Sequence, residues 1–413
     1  MTAAALKSLI LTDEQLEAMA ADFCQQMERK DLGKSSDFKM LSSYLSPATG
    51  QERGTFLTLD FGGTNVRLLE VELLGARRFQ SKRQILFPLK SEYADYTSSE
   101  RTGAELFGAI ADKIAAFVEP ENPYFLGHTF SFPFQQTMKN EAVLLAWTKE
   151  IRTSGVVGQD VTNLLKAALL ERSLGQIQPV AVLNDTVATL LAASYLTENV
   201  TIGVICGTGF NSCCVSEKAG RTEIVNLESG NFSLIPATVW DRQLDANSDC
   251  PGSQHLEKAV SGGYLGKLAT IVLSDLTQRE VSCTPDFSGA ALAALLQASE
   301  QAQAIAARYG IIVTASESAL LCDVAQKLVD RSALLAAASF AGILRYHDPK
   351  LRLSQRIAID GSLYEKMPGY SKLVREGLVR LFGEKAERIE LTLCKDGSGI
   401  GAAVAAAMEA IVI

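Results

Sequence analysis

The chain has little of what marks a membrane, nucleic-acid-binding or disulfide-built protein. Its longest apolar stretches, near Ala333–Leu344 and Gly401–Ile413, fall short of the ~20 residues that a membrane-spanning helix needs. No membrane partner is expected. No run of Lys and Arg occurs, and 39 basic residues are outnumbered by 47 acidic ones, for a net charge of −8. Nucleic-acid surfaces need clustered positive charge, so nucleic acid is not expected as a partner either. The eight Cys are scattered and no C-x-x-C spacing exists. That pattern argues against a zinc site or a disulfide framework and for a reduced, cytoplasmic protein. The opening MTAAALKSLILTDEQ lacks a charged segment followed by a long apolar core, so no signal peptide is expected. The phosphate-binding pattern G-x-x-x-x-G-K-[ST] is also missing.

What the chain does have is length and ordinary globular composition. Its 413 residues are 47% hydrophobic and 21% charged, more than one core usually accommodates, so two domains are expected. The stretch Leu57–Leu74, LTLDFGGTNVRLLEVELL, reads as two strands joined by a Gly-Gly turn. Glycines let backbone N–H groups approach an anion closely. In this stretch Gly62, Gly63, Thr64 and Asn65 line the turn, Asp60 offers a carboxylate for Mg²⁺ through water, and Arg67 offers a cationic fork for phosphate. An ordinary hairpin with solvent-facing Asp and Arg is the alternative.

The same logic recurs later. Ile202–Cys206 reads as a strand, Gly207-Thr208-Gly209-Phe210-Asn211-Ser212 as a turn, and Cys213–Val215 as a resumed strand. Two such hairpins suggest an internal duplication with one phosphate cradle per domain. Between them, Phe125–Phe134 reads as a strand that stops at Pro133, with Ser131 and Phe132 at its end. Trp147-Thr148-Lys149 sets polar groups beside an apolar plate. Val180–Leu183 is a strand, Asn184-Asp185-Thr186 follows it, and Thr186 is read as the cap of the next helix. Asp185 then either serves the cap or meets a ligand at the strand's carboxyl end. Helices are expected from Thr12, over Gly103–Phe117 and Asp160–Ser173, from Gln254 to about Gly263, and from Gly289 to Tyr346. A Gly-Ser turn at Gly361-Ser362 opens another.

Taken in order, these motifs resemble the eukaryotic-type hexokinase/glucokinase family from about Leu57 to Met408. The segments that carry the resemblance are LDFGGTNVR, LGHTFSFPFQQ, WTK, LNDTVATLLAASY, GVICGTGFNS, NLESGNF, CPGSQHLEKAVSGGYLG, AIDGSLYEKMPGY and DGSGIGAAVAA. The resemblance implies an α/β, actin-like (ribonuclease H-like) two-domain sugar kinase with a deep cleft. It implies a small domain of 54–183 plus about 400–413 and a large domain of 1–53 plus 184–399. The implied activity is phosphorylation of a hexose, glucose foremost, at its C6 hydroxyl by ATP with Mg²⁺, in a monomer or homodimer.

The resemblance also implies roles by position. Asp185 would be the base, with Lys149 and Arg67 assisting the transfer. Ser131, Phe132, Pro133, Thr148, Lys149, Asn184, Asn211, Glu228, Gln254 and Glu257 would hold the sugar. Asp60, Gly62, Gly63, Thr64, Asn65, Arg67, Gly207, Thr208, Gly209, Gly361 and Ser362 would hold ATP, with Asp60 on Mg²⁺. Four positions depart from the family pattern: His128 for Phe, Glu150 for Gly, Lys395 for an acid and Ile400 for a base. A catalytically dead sugar sensor and an actin-like filament ATPase are the competing classes. The intact Asp185, Lys149 and both hairpins weigh against the first, and the sugar motifs against the second.

Overall fold

A computed structural model describes residues 5–410, apart from 64, 149, 150, 219, 282 and 285 and the side chain of 218. Thr64, Lys149 and Glu150 therefore lie outside the described residues. Thirteen strands are named here in chain order: β1 Leu41–Ser42, β2 Arg53–Phe61, β3 Asn65–Gly75, β4 Arg78–Pro88, β5 Tyr124–Phe130, β6 Phe134–Met138, β7 Glu141–Leu144, β8 Ile177–Leu183, β9 Val200–Cys206, β10 Phe210–Lys218, β11 Arg221–Asn226, β12 Gln355–Asp360 and β13 Ile389–Leu393. They make a five-stranded sheet in the order β4-β3-β2-β5-β8, a six-stranded sheet in the order β1-β11-β10-β9-β12-β13, and the small hairpin β6-β7. No helix among the described residues is long and apolar enough to cross a membrane.

The chain divides into two compact units. One holds Met1–Met40, Val204–Ser212 and Leu227–Leu393; the other holds Leu41–Gly203, Cys213–Asn226 and Cys394–Ile413. This division differs from the expected one, which grouped 41–53, 184–203, 213–226 and 394–399 with the larger part. The reason is packing. Helix Gly397–Ala410 is almost wholly buried, and it lies against helix Asp185–Leu196 so closely that a Cβ on Gly401 would stand 2.0 Å from the Ala188 carbonyl oxygen. Only glycine allows that approach.

In this second unit the sheet's central strands share one register. β2 and β5 are parallel, with Asp60 opposite Thr129 and Phe61 opposite Phe130. β5 and β8 are parallel, with Thr129 opposite Leu183. β3 returns antiparallel on β2, with Asp60 opposite Arg67. Alternate side chains enter a core of Leu57, Leu59, Phe61, Leu126 and Phe130, closed by Leu106, Phe107, Ile110 and Ile114 of helix Gly103–Phe117. That helix starts on a Thr102/Glu105 capping box, which satisfies two N–H groups that the first turn cannot.

The first unit is built on helix Ala315–His347, 33 residues long and so roughly 50 Å. Buried Arg331 on this helix grips Asp241 with two bonds, 3.0 and 2.9 Å. The expected single helical stretch from Gly289 is three helices, Gly289–Gln297, Ala302–Ala307 and Ala315–His347. Gly310 turns at φ +73°, and Thr314 with Glu317 caps the long helix afresh. The helix expected from Gln254 to Gly263 also splits, into His255–Val260 and Gly262–Thr277. Gly262 and Gly263 send their N–H groups to the carbonyls of Gly207 and Thr208, at 2.8 and 3.0 Å, instead of continuing the first helix.

Two smaller readings also change. β5 ends at Phe130, not at Pro133. Ser131 makes one last N–H bond to the Phe61 carbonyl at 3.1 Å, and Pro133 has no N–H to extend the ladder. Helix Asp185–Leu196 is capped by Asn184, whose Oδ1 accepts from Thr186 N–H at 3.0 Å, so Thr186 is inside the helix and not its cap.

His128 sits mid-strand in β5 and is fully buried, with neither ring nitrogen hydrogen-bonded. It packs against the rings of Phe61 and Phe130. Burial pushes its pKa down to about 3 from an ordinary 6.5. The folded state keeps it neutral while the unfolded chain takes up a proton, so its contribution is lost as pH falls from 6.5 toward 3. His128→Phe is expected to raise the unfolding free energy by about 1–3 kcal/mol. The gain should widen below pH 6.5, as denaturant titrations at pH 7.5 and 5 would measure.

Candidate functional site

Within the second unit, the shared register brings the carboxyl ends of β2, β5 and β8 side by side. β2 ends in Asp60-Phe61 and the Gly62-Gly63 turn, which Gly62 N–H closes on the Asn65 carbonyl at 3.2 Å. β5 ends at Phe130 and delivers buried Ser131. Phe132 packs edge-on against Trp147 at 4.9 Å, and the indole N–H donates to the Thr153 carbonyl at 2.8 Å. Thr148 follows on that anchored segment, and its carbonyl accepts from Ile151 N–H at 3.3 Å. β8 ends at Leu183 and delivers Asn184 and Asp185 at a helix N-terminus. There Asp185 Oδ1 accepts from Thr186 N–H at 2.9 Å. A negative charge is favoured at that helix end, and the carbonyl of Asp185 is held in turn by Thr189 Oγ1 at 2.9 Å.

Arg67 stands across the hairpin from Asp60, at 3.1 Å, and also donates to Asp396. Burial alone would lower the guanidinium pKa, but the two carboxylates outweigh it and raise it. Asp396 is the partner that the sequence reading missed. It occurs in the DGSG motif, but nothing local points to a partner 329 residues away. Its left-handed backbone, φ +58°, is one that Asp tolerates better than most side chains.

The first unit gathers a second set. The turn Gly207-Thr208-Gly209 closes by Gly207 N–H to the Gly209 carbonyl at 3.0 Å. Gly361 lies against it at φ +129°, and a Cβ there would meet the Cys206 carbonyl oxygen at 2.4 Å. Two glycine turns thus meet backbone to backbone, with Ser362 opening helix Ser362–Lys366 beside them. The residues expected to hold a nucleotide in this unit, Gly207, Thr208, Gly209, Gly361 and Ser362, form one neighbourhood.

The expected sugar ligands of this unit adjoin it. Glu257 Oε2 accepts Phe210 N–H at 2.9 Å. Asn211 Oδ1 accepts the N–H groups of Ser212 and Ser229 at 2.7 and 3.0 Å. Glu228 is buried and left-handed at φ +56°, and Gln254 is left-handed at φ +57°. Gly230 keeps the space between them: a Cβ would fall 2.4 Å from Gln254 Oε1 and 3.1 Å from Glu257 Cβ. The structural role of Ser229, and that of the Phe210 N–H, had no sequence signal. Both are set by which backbone groups face Asn211 and Glu257.

Within the first unit, the acceptors around Gly230 lie near the paired glycine turns. Carboxylates and amides accept from adjacent hydroxyls. Side-chain-free turns let N–H groups near a phosphate. In the second unit, Asp60 is the carboxylate expected to meet a hydrated Mg²⁺.

Hexokinase family models match residues 2–195 and 201–408. Rice Hexokinase-7 is 35% identical over 90% of this chain and 88% of its own length. Rat Hexokinase-2 is 33% identical over 96% of this chain but only 47% of its own, so the chain spans about half the length of that relative. Among solved structures, the hexokinase from Schistosoma mansoni complexed with glucose superposes with a TM-score of 0.85 at 29% identity, over 98% of both chains.

The contact between the two glycine turns gives a direct test. Gly361→Ala puts a Cβ against fixed backbone at a φ that L residues avoid. It is expected to cost about 1–3 kcal/mol and to weaken nucleotide binding more than sugar binding, as titration calorimetry with each ligand would show.

Proposed function

The chain belongs to the hexokinase family, and we infer from this and from the site geometry that it transfers the terminal phosphoryl group of ATP to the C6 hydroxyl of a hexose. The observation that carries the reading is the common register of β2, β5 and β8. It lines up the Gly62-Gly63 hairpin, Ser131 and Asp185 at three adjacent strand ends. Glucose is the hexose proposed first, in keeping with the glucose-bound relative.

Asp185 acts as the base. As the C6 oxygen bonds to the γ-phosphorus, the hydroxyl proton passes to the Asp185 carboxylate, the bond from phosphorus to the β-γ bridging oxygen breaks, and ADP leaves with that electron pair. Phosphoryl transfer runs through a loose state, so positioning and charge neutralisation dominate. Asn184, Ser131, Thr148, Lys149, Asn211, Glu228, Gln254 and Glu257 hold the other hydroxyls, with Phe132 and Pro133 as the apolar wall. Gly62, Gly63, Thr64, Asn65, Gly207, Thr208, Gly209, Gly361 and Ser362 hold ATP, and Arg67 neutralises phosphate charge. Asp60 is the residue here that would hold Mg²⁺, which supplies further charge neutralisation on the phosphates when bound. The eight scattered cysteines, with no C-x-x-C spacing, suit a reducing compartment, and the cytoplasm is the location proposed.

ADP release from Mg-ATP by the purified protein, with and without a hexose panel, tests this. Release that depends on glucose is expected, and equal release with and without every sugar overturns it. Asp185→Ala is expected to lower kcat by about 10²–10⁴-fold while glucose still binds in calorimetry. Unaltered turnover would remove Asp185 from the role.

A further inference from the structure

Lys258 is one of the very few charged side chains in this fold that are almost entirely buried; its side chain is 4% exposed. It follows Glu257 directly, on the short helix His255–Val260. Its ammonium donates to Asp245 Oδ1 at 2.6 Å and to the Cys250 carbonyl at 2.7 Å. Asp245 in turn accepts the N–H of Gly252 on both carboxylate oxygens, at 3.1 and 3.0 Å. Burial would raise the Asp245 carboxyl, but Lys258 and Gly252 outweigh it and hold it below its usual range. Three points of the 245–258 segment are therefore tied together: the end of helix Val239–Ala246, the turn at Cys250–Gly252, and the helix that carries Glu257.

The tie encloses the strained residue. Gln254 lies between Gly252 and the helix at φ +57°. A non-glycine residue there costs about 1 kcal/mol or more unless its surroundings over-determine it. The Gln254 carbonyl accepts Lys258 N–H at 2.9 Å, and Leu256 N–H reaches the Phe232 carbonyl at 3.1 Å. Without the ammonium, Asp245 loses its cationic partner and keeps only the Gly252 N–H and nearby His255, and the Cys250 carbonyl is left with the single, longer bond from Ser253 N–H at 3.3 Å. The backbone bonds of Gln254 and Leu256 remain, but the turn loses its tie to helix Val239–Ala246, so left-handed Gln254 is held less firmly and its amide shifts on the Gly230 surface beside Glu257.

We propose that Lys258 and Asp245 are positioning residues for hexose recognition: the ion pair of buried Lys258 with part-buried Asp245 holds the 250–254 turn so that Gln254 and Glu257 present one fixed set of acceptors to the sugar. The proposal rests on the reading above, in which Gln254 and Glu257 bind the hexose. Neither Lys258 nor Asp245 touches substrate. The pair acts through backbone geometry, so its effect falls on the hexose and not on the nucleotide.

The test compares wild type with Lys258→Met, Asp245→Asn and the double variant, measuring KM for glucose and for ATP separately. Circular dichroism and a thermal melt confirm the fold. The expected result is a glucose KM raised at least tenfold, an ATP KM raised less than threefold, and a double variant no worse than the more damaged single one, because one clamp is lost only once. A thermal melt lowered by general destabilisation would not split the two KM values. If Lys258→Met does not fold, Asp245→Asn, on a side chain 20% exposed, carries the same comparison. A glucose KM within twofold of wild type in a folded variant, or glucose and ATP KM rising together, overturns the proposal. A wild-type protein that phosphorylates no hexose overturns the proposed function instead.

Discussion

The parallel alignment of β2, β5 and β8 is the constraint on which the second unit depends. Asp60, Thr129 and Leu183 share one row, so the next one or two residues of each strand emerge together. The side-chain period of a strand is two. A slip of one residue would therefore turn Leu57, Leu59 and Phe61 out of the core and Asp60 into it. The hydrophobic core and the placement of Asp60, Ser131 and Asp185 are thus one fact seen twice. The register holds because β3 locks β2 from the other side, with Arg67 opposite Asp60, and because helix Gly397–Ala410 closes over the sheet.

Much of this was legible in the sequence because it is local. The Gly-Gly turn between the alternating Leu57/Leu59 run and the Val- and Leu-rich run after it, the Thr12 and Asp160 caps and the face of helix Gly103–Phe117 follow from short-range chemistry, and the structure has them. The ordered motifs resembling hexokinases pointed to the family to which the chain belongs. What the sequence concealed is long-range. Ser261 ends a helix because Gly262 and Gly263 find carbonyls about 55 residues back in the chain, at Gly207 and Thr208. Asp396 meets Arg67 by virtue of a fold-spanning contact. The division of the chain into units turns on Gly401 against Ala188, and nothing near either residue announces the other.

Arg67 shows how charge is arranged before any ligand arrives. Its guanidinium lies between Asp60 and Asp396, with its side chain 20% exposed. An isolated buried cation would be costly, and removing one partner of such a group costs more than the pair contributes. The two carboxylates keep the fork ionised and aimed along the hairpin. On the proposed reading, a phosphate that reached it would exchange one set of anionic oxygens for another, and the guanidinium would undergo little change in solvation. Electrostatic stabilisation of this preorganised kind is effective because the donor need not reorient as charge develops.

Backbone strain and polar burial fall on the same few residues. Glu228 and Gln254, both expected to face the sugar, are left-handed, while Asn211 and Glu257 spend acceptor capacity on backbone N–H groups of Ser229 and Phe210. Each left-handed residue costs on the order of 1 kcal/mol, and such a cost persists only where neighbours over-determine the conformation. Here the neighbours are named: Asn231 N–H on the Glu228 carbonyl at 3.2 Å, Lys258 N–H on the Gln254 carbonyl at 2.9 Å, and, on the turn before Gln254, the Asp245–Lys258 tie to Cys250 and Gly252. A flexible carboxylate would pick among hydroxyl patterns only at the cost of ordering itself on each encounter. Carboxylates and amides already fixed by strained, fully bonded backbone discriminate by geometry instead, since a hydroxyl out of place leaves a buried acceptor unpaired. On the proposed reading, the strain is therefore coupled to selectivity: relaxing the turn would stabilise the backbone locally and loosen the acceptor set that would read the sugar.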